Sequence, residues 1–190
     1  YHPLEIDGTQ TLYEDDILSV ETIPLQHKIP CTGFLFREKI KPRRIDKSKL
    51  PEGLRLQQIA NLKKGDDVLD TNGALLYRNE ELTLPPRKSR SYAYCSDTAY
   101  NERIIDQIRG VDILYHEATF GMEDHQKALE TQHSTASQAA EMAKEAMVEK
   151  LLIGHFSARY KDLNPLADEA RLIFPNVELA VEGSVFSIAD

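Results

Sequence analysis

SYAYCSDT (91–98), VDILYHEATF (111–120), HSTASQAA (133–140) and KLLIGHFSARY (150–160) follow one another between Ser91 and Tyr160. Tyr92–Cys95, Val111–Tyr115 and Leu151–Ile153 are apolar runs of strand length, the first two rich in aromatic or β-branched residues. Each leads into groups able to do chemistry: Asp97, then His116 and Glu117, then His155. Between the runs the periodicity is helical. The spacing predicts a helix over 99–109 with Ile104, Ile105 and Ile108 on one face and Gly110 ending it. A second helix is predicted over 135–147, with Ala136, Ala139, Ala140, Ala143 and Met147 on one face. Thr135 and Gln138 have capping-box spacing at its start. Strand–helix–strand–helix–strand units give parallel strands joined by right-handed crossovers. Ligands of such sheets bind at the carboxyl ends of the strands, so Asp97, Glu117 and His155 converge on one rim, with His133 at the mouth of the second helix.

The rest of the chain bounds what that rim belongs to. It has 190 residues, 41% hydrophobic and 28% charged, enough for one domain with a substantial core. No apolar run approaches the roughly 20 residues that span a membrane. Cys31 and Cys95 have neither metal-site spacing nor the number for a disulfide framework, which makes a reducing cytoplasm the expected compartment. The net charge of −8 disfavours a polyanion as partner. Residues 37–49 run the other way, with seven Lys or Arg against two Asp or Glu. That run fits a local footprint for an anionic partner and equally a solvated surface loop.

Strands are expected from Leu4 and Ile6 through a turn at Asp7 and Gly8 to Leu12, then over Ile17–Ile23 and Phe34–Phe36. From Arg37 to Arg90 prolines and glycines punctuate an inserted arm, with a short helix at Leu54–Leu62 and a hairpin around Asp70–Gly73. Asn164 and Pro165 predict a helix capped by Asn164 and running to Phe174. Val177–Val181 and Ser184–Ile188 read as a hairpin across Glu182 and Gly183. The domain reading is therefore 1–36 as core strands, 37–90 as the arm and its return, and 91–190 as the C-terminal βαβ part.

Asp and His suit zinc or manganese, but Asp97 and His155 alone do not complete a site. A turn-capping Asp and a hydrogen-bonded His also account for them. Glu117 beside His133 could orient the ring for proton delivery; a helix-capping His and a surface acid are the plainer alternative. Ser157 with Arg159 can bind phosphate or merely form an ion pair. His27 fits a pocket wall or an ordinary surface position.

SDT (96–98), HEATF (116–120), HST (133–135) and HFSARY (155–160), in that order and spacing, resemble ribonuclease Z, the tRNA 3′-processing endonuclease of the metallo-β-lactamase superfamily. PPRKSR (85–90), LQHKIPCTGF (25–34) and LPEGLRLQQIANLKKG (50–65) resemble further segments of that family, the last with a shortened arm tip. The resemblance implies an α/β fold, the metallo-β-lactamase αββα sandwich, with the inserted arm. It implies two zinc ions per subunit, Asp97 bridging them and His155 as the last metal histidine. It makes His133 and Glu117 the pair that protonates the leaving 3′ oxygen, and sets Ser157, Arg159 and His27 at the substrate. It makes the basic arm, with Lys39, Lys41, Arg43 and Arg44, an exosite for precursor tRNA in a homodimer. The family's His-x-His-x-Asp-His motif is absent from these 190 residues, and His2 does not fit a further upstream metal histidine. The expectation is therefore an incomplete sandwich lacking its N-terminal portion and, by itself, inactive. Alternative expectations are a metallo-β-lactamase-type phosphodiesterase acting on small substrates and a fragment that only dimerises or binds RNA.

Overall fold

The computed structural model describes residues 8–188. Leu4, Ile6 and Asp7 of the expected first strand, and His2, lie outside them. The chain opens with β1 (Thr11–Glu14), β2 (Leu18–Pro24) and β3 (Thr32–Glu38). The arm supplies β4 (Arg44–Ile45), α1 (Leu56–Lys64), β5 (Val68–Leu69), β6 (Leu75–Tyr77), α2 (Asn79–Leu82) and β7 (Thr83–Leu84). There follow β8 (Ser91–Cys95), β9 (Ile113–Glu117), α3 (His125–Thr131), α4 (Ala136–Glu145), β10 (Lys150–Gly154), α5 (Asn164–Arg171) and β11 (Val177–Leu179). Two compact units result among the described residues, one from 8–37 together with 90–188, the other from 38–89.

The first unit is built on a seven-stranded sheet in the order β1-β2-β3-β8-β9-β10-β11. β8, β9, β10 and β11 run parallel, and β3 pairs antiparallel with β8. Ala93, Cys95, Leu114, Leu151 and Ile153 point to one face and join the buried core with Ala136, Ala139, Ala140, Met142 and Ala143 of α4. Strand side chains alternate, so Tyr92, Tyr94, Ile113 and Tyr115 fall on the opposite face. There Phe36 stacks on Tyr92 (centroids 5.9 Å apart) and Tyr94 on Tyr115 (4.7 Å). Burial first, then the neighbouring Tyr94, pushes the Tyr115 phenol up to about 12. No helix among the described residues is long and apolar enough to cross a membrane.

The second unit has its own small core of Leu62, Val68 and Leu82. β4 pairs with β7 and β5 with β6, the latter as the expected hairpin. The Asn79 carboxamide donates to the Leu62 and Asp66 carbonyls, tying α2 to the end of α1. At the unit's neck the Ser89 hydroxyl donates to the Lys39 carbonyl (2.8 Å), and the Lys41 ammonium donates to the Lys88 carbonyl (3.2 Å).

Four expectations need correction. Residues 99–109 do not form an α-helix: Asn101 caps a 3-10 turn at Glu102–Ile104, and further turns lead to Gly110 at φ 67°. β-Branched isoleucines at 104, 105 and 108 favour the helix weakly; Ile104 and Ile108 are nonetheless fully buried. The capping box at Thr135 is present, but α4 stops at Glu145. Met147 then takes φ 52° and leaves the face, 63% exposed, while Met142 is buried in its stead. α5 is capped from Leu163 and ends at Arg171; the Asp162 carboxylate accepts from the Asn164 backbone, the role assigned to Asn164. The C-terminal hairpin does not form. β11 pairs parallel with β10, and after the turn at Gly183 the chain does not return as a strand. Instead Phe186 and Ile188 line a cavity with Tyr92, Ile113 and Leu152.

His116 is fully buried on the helix-covered side, its Nδ1–H donating to the Glu117 carbonyl (2.8 Å) and its Nε2 without a partner. Burial above all pushes its pKa below the ordinary value. The unfolded chain therefore takes up a proton near pH 6.5 that the folded chain refuses, so stability is full above that pH and is lost as pH falls. Urea denaturation should show this loss, at most about 1.4 kcal/mol per pH unit. In His116→Leu that contribution should vanish; parallel profiles for the two proteins would contradict it.

Candidate functional site

Three strand ends set the site. In the ladders Cys95 lies beside His116, and Glu117 beside Gly154. Asp97, Glu117 and His155 therefore stand at or just past one line across the sheet. The chain after β9 stays between its neighbours. The Ala118 N–H donates to the Gly154 carbonyl, Ser157 N–H to Thr119, and Ala136 N–H to Phe120. HEATF is thus stitched to HFSA on one side and to the start of α4 on the other.

Glu117 is completely buried and accepts four hydrogen bonds. His133 Nδ1–H (2.7 Å) and the Thr98 N–H (2.6 Å) reach Oε1; the Thr119 hydroxyl (2.5 Å) and the Ser134 N–H (3.1 Å) reach Oε2. A carboxylate has about four lone-pair positions, and all are taken. His133 is thereby fixed by Nδ1, with Nε2 left for other work.

Thr119 continues the chain of bonds. Its Oγ1 lies 3.0 Å from His155 Nδ1. The hydroxyl's two acceptor-only partners are Glu117 (2.5 Å) and the His155 carbonyl (3.0 Å); its proton goes to the nearer, Glu117, so the Thr119 oxygen accepts from His155 Nδ1–H. The lone pair of His155 then sits on Nε2, 2.9 Å from Asp97 Oδ1. That oxygen is shielded from solvent and has no hydrogen-bond partner. Two lone pairs facing each other at this distance, one imidazole and one carboxylate, suit a divalent cation. Asp97, Glu117, His133 and His155 all offer a ligand atom within 4.8 Å of one another. Of these, Asp97 and His155 fit a metal, whereas Glu117 has no lone pair to spare.

The backbone is strained at the same place. Asp97 (φ 59°), Gln132 (φ 58°) and His155 (φ 55°) occupy the left-handed region, and only Met147 among the other described non-glycine residues does so. Each such residue costs of order 1 kcal/mol, which the flanking ladders offset.

Around this centre, His27 Nδ1–H donates to the Gln132 carbonyl (3.0 Å), and its ring lies 4.8 Å from that of His133, which in turn stacks 5.2 Å from His155. Arg159 donates through Nε to the Ser157 hydroxyl (3.1 Å) and through Nη1 to Asp124 (3.0 Å), with its guanidinium 5.2 Å from the Phe120 ring centre. Lys127 foremost, with Tyr160 and Arg159, holds the Asp124 carboxyl below its usual range. Lys39, Lys41, Arg43 and Arg44 belong to the other unit. Lys41 pairs with Glu38 (2.6 Å), Arg43 donates to the Thr83 hydroxyl (2.8 Å) and Arg44 to the Pro85 carbonyl (3.1 Å), so these cations also hold the arm's stem together. Residue chemistry alone gave no sign of Thr119, because its partner at 155 meets it only through the fold.

In the full-length gene product containing this chain, Thr119→Val should free the His155 ring and weaken cobalt binding about 10–100-fold in an absorption titration, while Thr119→Ser keeps it. Equal affinity in the valine variant would remove the positioning role.

No family model matches the chain. Proteins named ribonuclease Z do: that of Cytophaga hutchinsonii is 50% identical over 190 residues, covering 100% of this chain and 61% of the relative. That of Bacteroides fragilis YCH46 is 45% identical over 193 residues, covering 99% and 62%. The chain thus spans about three fifths of the length of these curated relatives. Among solved structures, the metallo-β-lactamase fold protein YhfI of Bacillus subtilis superposes with TM-score 0.61 at 17% identity, covering 96% of this chain and 54% of that one. The short form of human tRNase Z gives 0.56 at 22% identity, covering 96% and 48%. The chain carries the metallo-β-lactamase fold, and along its whole length it is similar to about three fifths of the length of proteins named ribonuclease Z.

Proposed function

We propose that the full-length gene product containing this chain is a cytoplasmic, homodimeric, zinc-dependent endoribonuclease that removes the 3′ trailer from precursor tRNA. The observation that carries the reading is the buried Glu117–His133 couple, joined through Thr119 to His155 and Asp97. The ribonuclease Z name of relatives at 42–50% identity supports the substrate class.

Asp97 and His155 would hold zinc, two ions per subunit when the remaining ligands are present. Bound there, the metal supplies Lewis-acid polarisation of a phosphoryl oxygen and an acidified water. The chain's own residues do the rest. Glu117 grips His133 by Nδ1, which aims Nε2 for proton transfer to the leaving 3′ oxygen. Arg159 spends two of its five donors on Ser157 and Asp124, so others remain for a substrate phosphate. Lys39, Lys41, Arg43 and Arg44 of the arm would engage tRNA backbone away from the cut, reading shape and charge rather than sequence.

The test is cleavage of precursor tRNA by the full-length, metal-loaded protein, with bis(p-nitrophenyl) phosphate as the small-substrate comparison. His133→Ala should slow tRNA cleavage about 10²–10⁴-fold with tRNA affinity unchanged. An unchanged rate at every pH removes the acid role, and a wild-type protein that cleaves only the small ester removes the substrate.

A further inference from the structure

Beside the stacked histidines lies a cavity of about 670 Å³ that the chemistry above does not use. Its polar lining is Gln26, His27, Lys28, Asn101, Arg103 and Gln132, over an apolar floor of Pro24, Leu25 and Pro30. Its walls are fixed by hydrogen bonds. The Gln26 N–H donates to the Thr98 hydroxyl (3.1 Å), Ala99 N–H to the Gln26 carbonyl (2.8 Å), the Asn101 carboxamide to the Pro24 carbonyl (3.4 Å), and His27 to the Gln132 carbonyl (3.0 Å).

Three features say what would enter. The chain carries net charge −8, yet the lining holds two cations and no carboxylate. Among the described residues the side chains of Lys28 and Arg103 have neither an ion pair nor a hydrogen bond, unlike Arg159, Lys127 or Lys41. Gln132, held at φ 58° at the end of α3, has its Oε1 shielded from solvent with no donor. Unpaired cations take phosphate, a carboxamide takes a base edge or a 2′-hydroxyl, and flat imidazole and proline surfaces take a base face. His27 lines the cavity and is one ring contact from His133, and His133 one from His155, so an occupant would sit next to the reacting centre.

We propose that this cavity is a subsite for a single-stranded RNA nucleotide flanking the scissile phosphodiester, with Lys28 and Arg103 on its phosphate and Gln132 on its base or ribose. The proposal rests on the ribonuclease reading and adds the position of one strand of the substrate. It also gives His27 a place, as the wall shared by the cavity and the His133 ring.

The experiment uses the full-length, metal-loaded protein and precursor tRNAs carrying one methylphosphonate at successive positions around the cut. Lys28→Ala with Arg103→Ala should raise KM about tenfold or more, change kcat far less, and lower the slope of log KM against log salt by about one to two. Lys28→Arg with Arg103→Lys, which keeps both charges, should retain the wild-type salt slope that the double alanine variant loses, which separates charge from packing. One neutralised phosphate next to the cut should cost the wild type what the double alanine variant already lacks, and cost that variant nothing more. An unchanged KM, or phosphate effects that add to the protein change at every position, overturns the subsite alone. A wild-type protein that leaves precursor tRNA intact overturns the ribonuclease reading, and the subsite with it.

Discussion

A carboxylate removed from water is tolerable only when its lone pairs are all met, and Glu117 meets that condition with four donors from three parts of the chain. Thr98 brings the end of β8, Thr119 the continuation of β9, His133 and Ser134 the entry to α4. Any one donor could be lost to a neighbour in a looser fold. Together they require β8 and β9 in register, and α4 starting where Thr135 caps it. An unmet buried group costs about 1–3 kcal/mol, so the node both demands the surrounding fold and holds it in a single arrangement. The left-handed backbone at Asp97 and His155 is kept in place by the same three parallel strands.

The pairing of Asp97 with His155 depends on this node at one remove. His155 presents Nε2 to Asp97 because Thr119 occupies its Nδ1, and Thr119 is oriented by Glu117. The ring that would move a proton and the ring that would hold a metal are thus referred to one buried anion.

The parallel strands and the capped helix were legible because their signals are local: apolar runs of strand length, and Thr135 with Gln138 before an alanine face. The isoleucines of 104–108 show where a local signal misleads. They marked a buried face correctly but not its backbone, since β-branched side chains pack equally well from a 3-10 turn. Alternation over 177–181 could not tell a parallel edge strand from half of a hairpin, for both bury every second residue. At the rim, residue types alone left Glu117 and His133 balanced between a proton couple and a helix cap. Only the motif order tipped that reading, and the 2.7 Å contact between them is a matter of three-dimensional placement. Thr119 and Gln132 were invisible for the same reason.

The clasp at the arm's neck has a genetic consequence. Lys39 and Ser89 are joined by a hydrogen bond, and Arg37 faces Ser91 across the β3–β8 ladder. The points where residues 38–89 leave and rejoin the sheet are therefore neighbours in space. A segment inserted between neighbouring positions can be lengthened, shortened or exchanged without altering the register of the strands that bear it. Its tip and length can change by insertion or deletion without disturbing the strand ends that carry Asp97, Glu117 and His155.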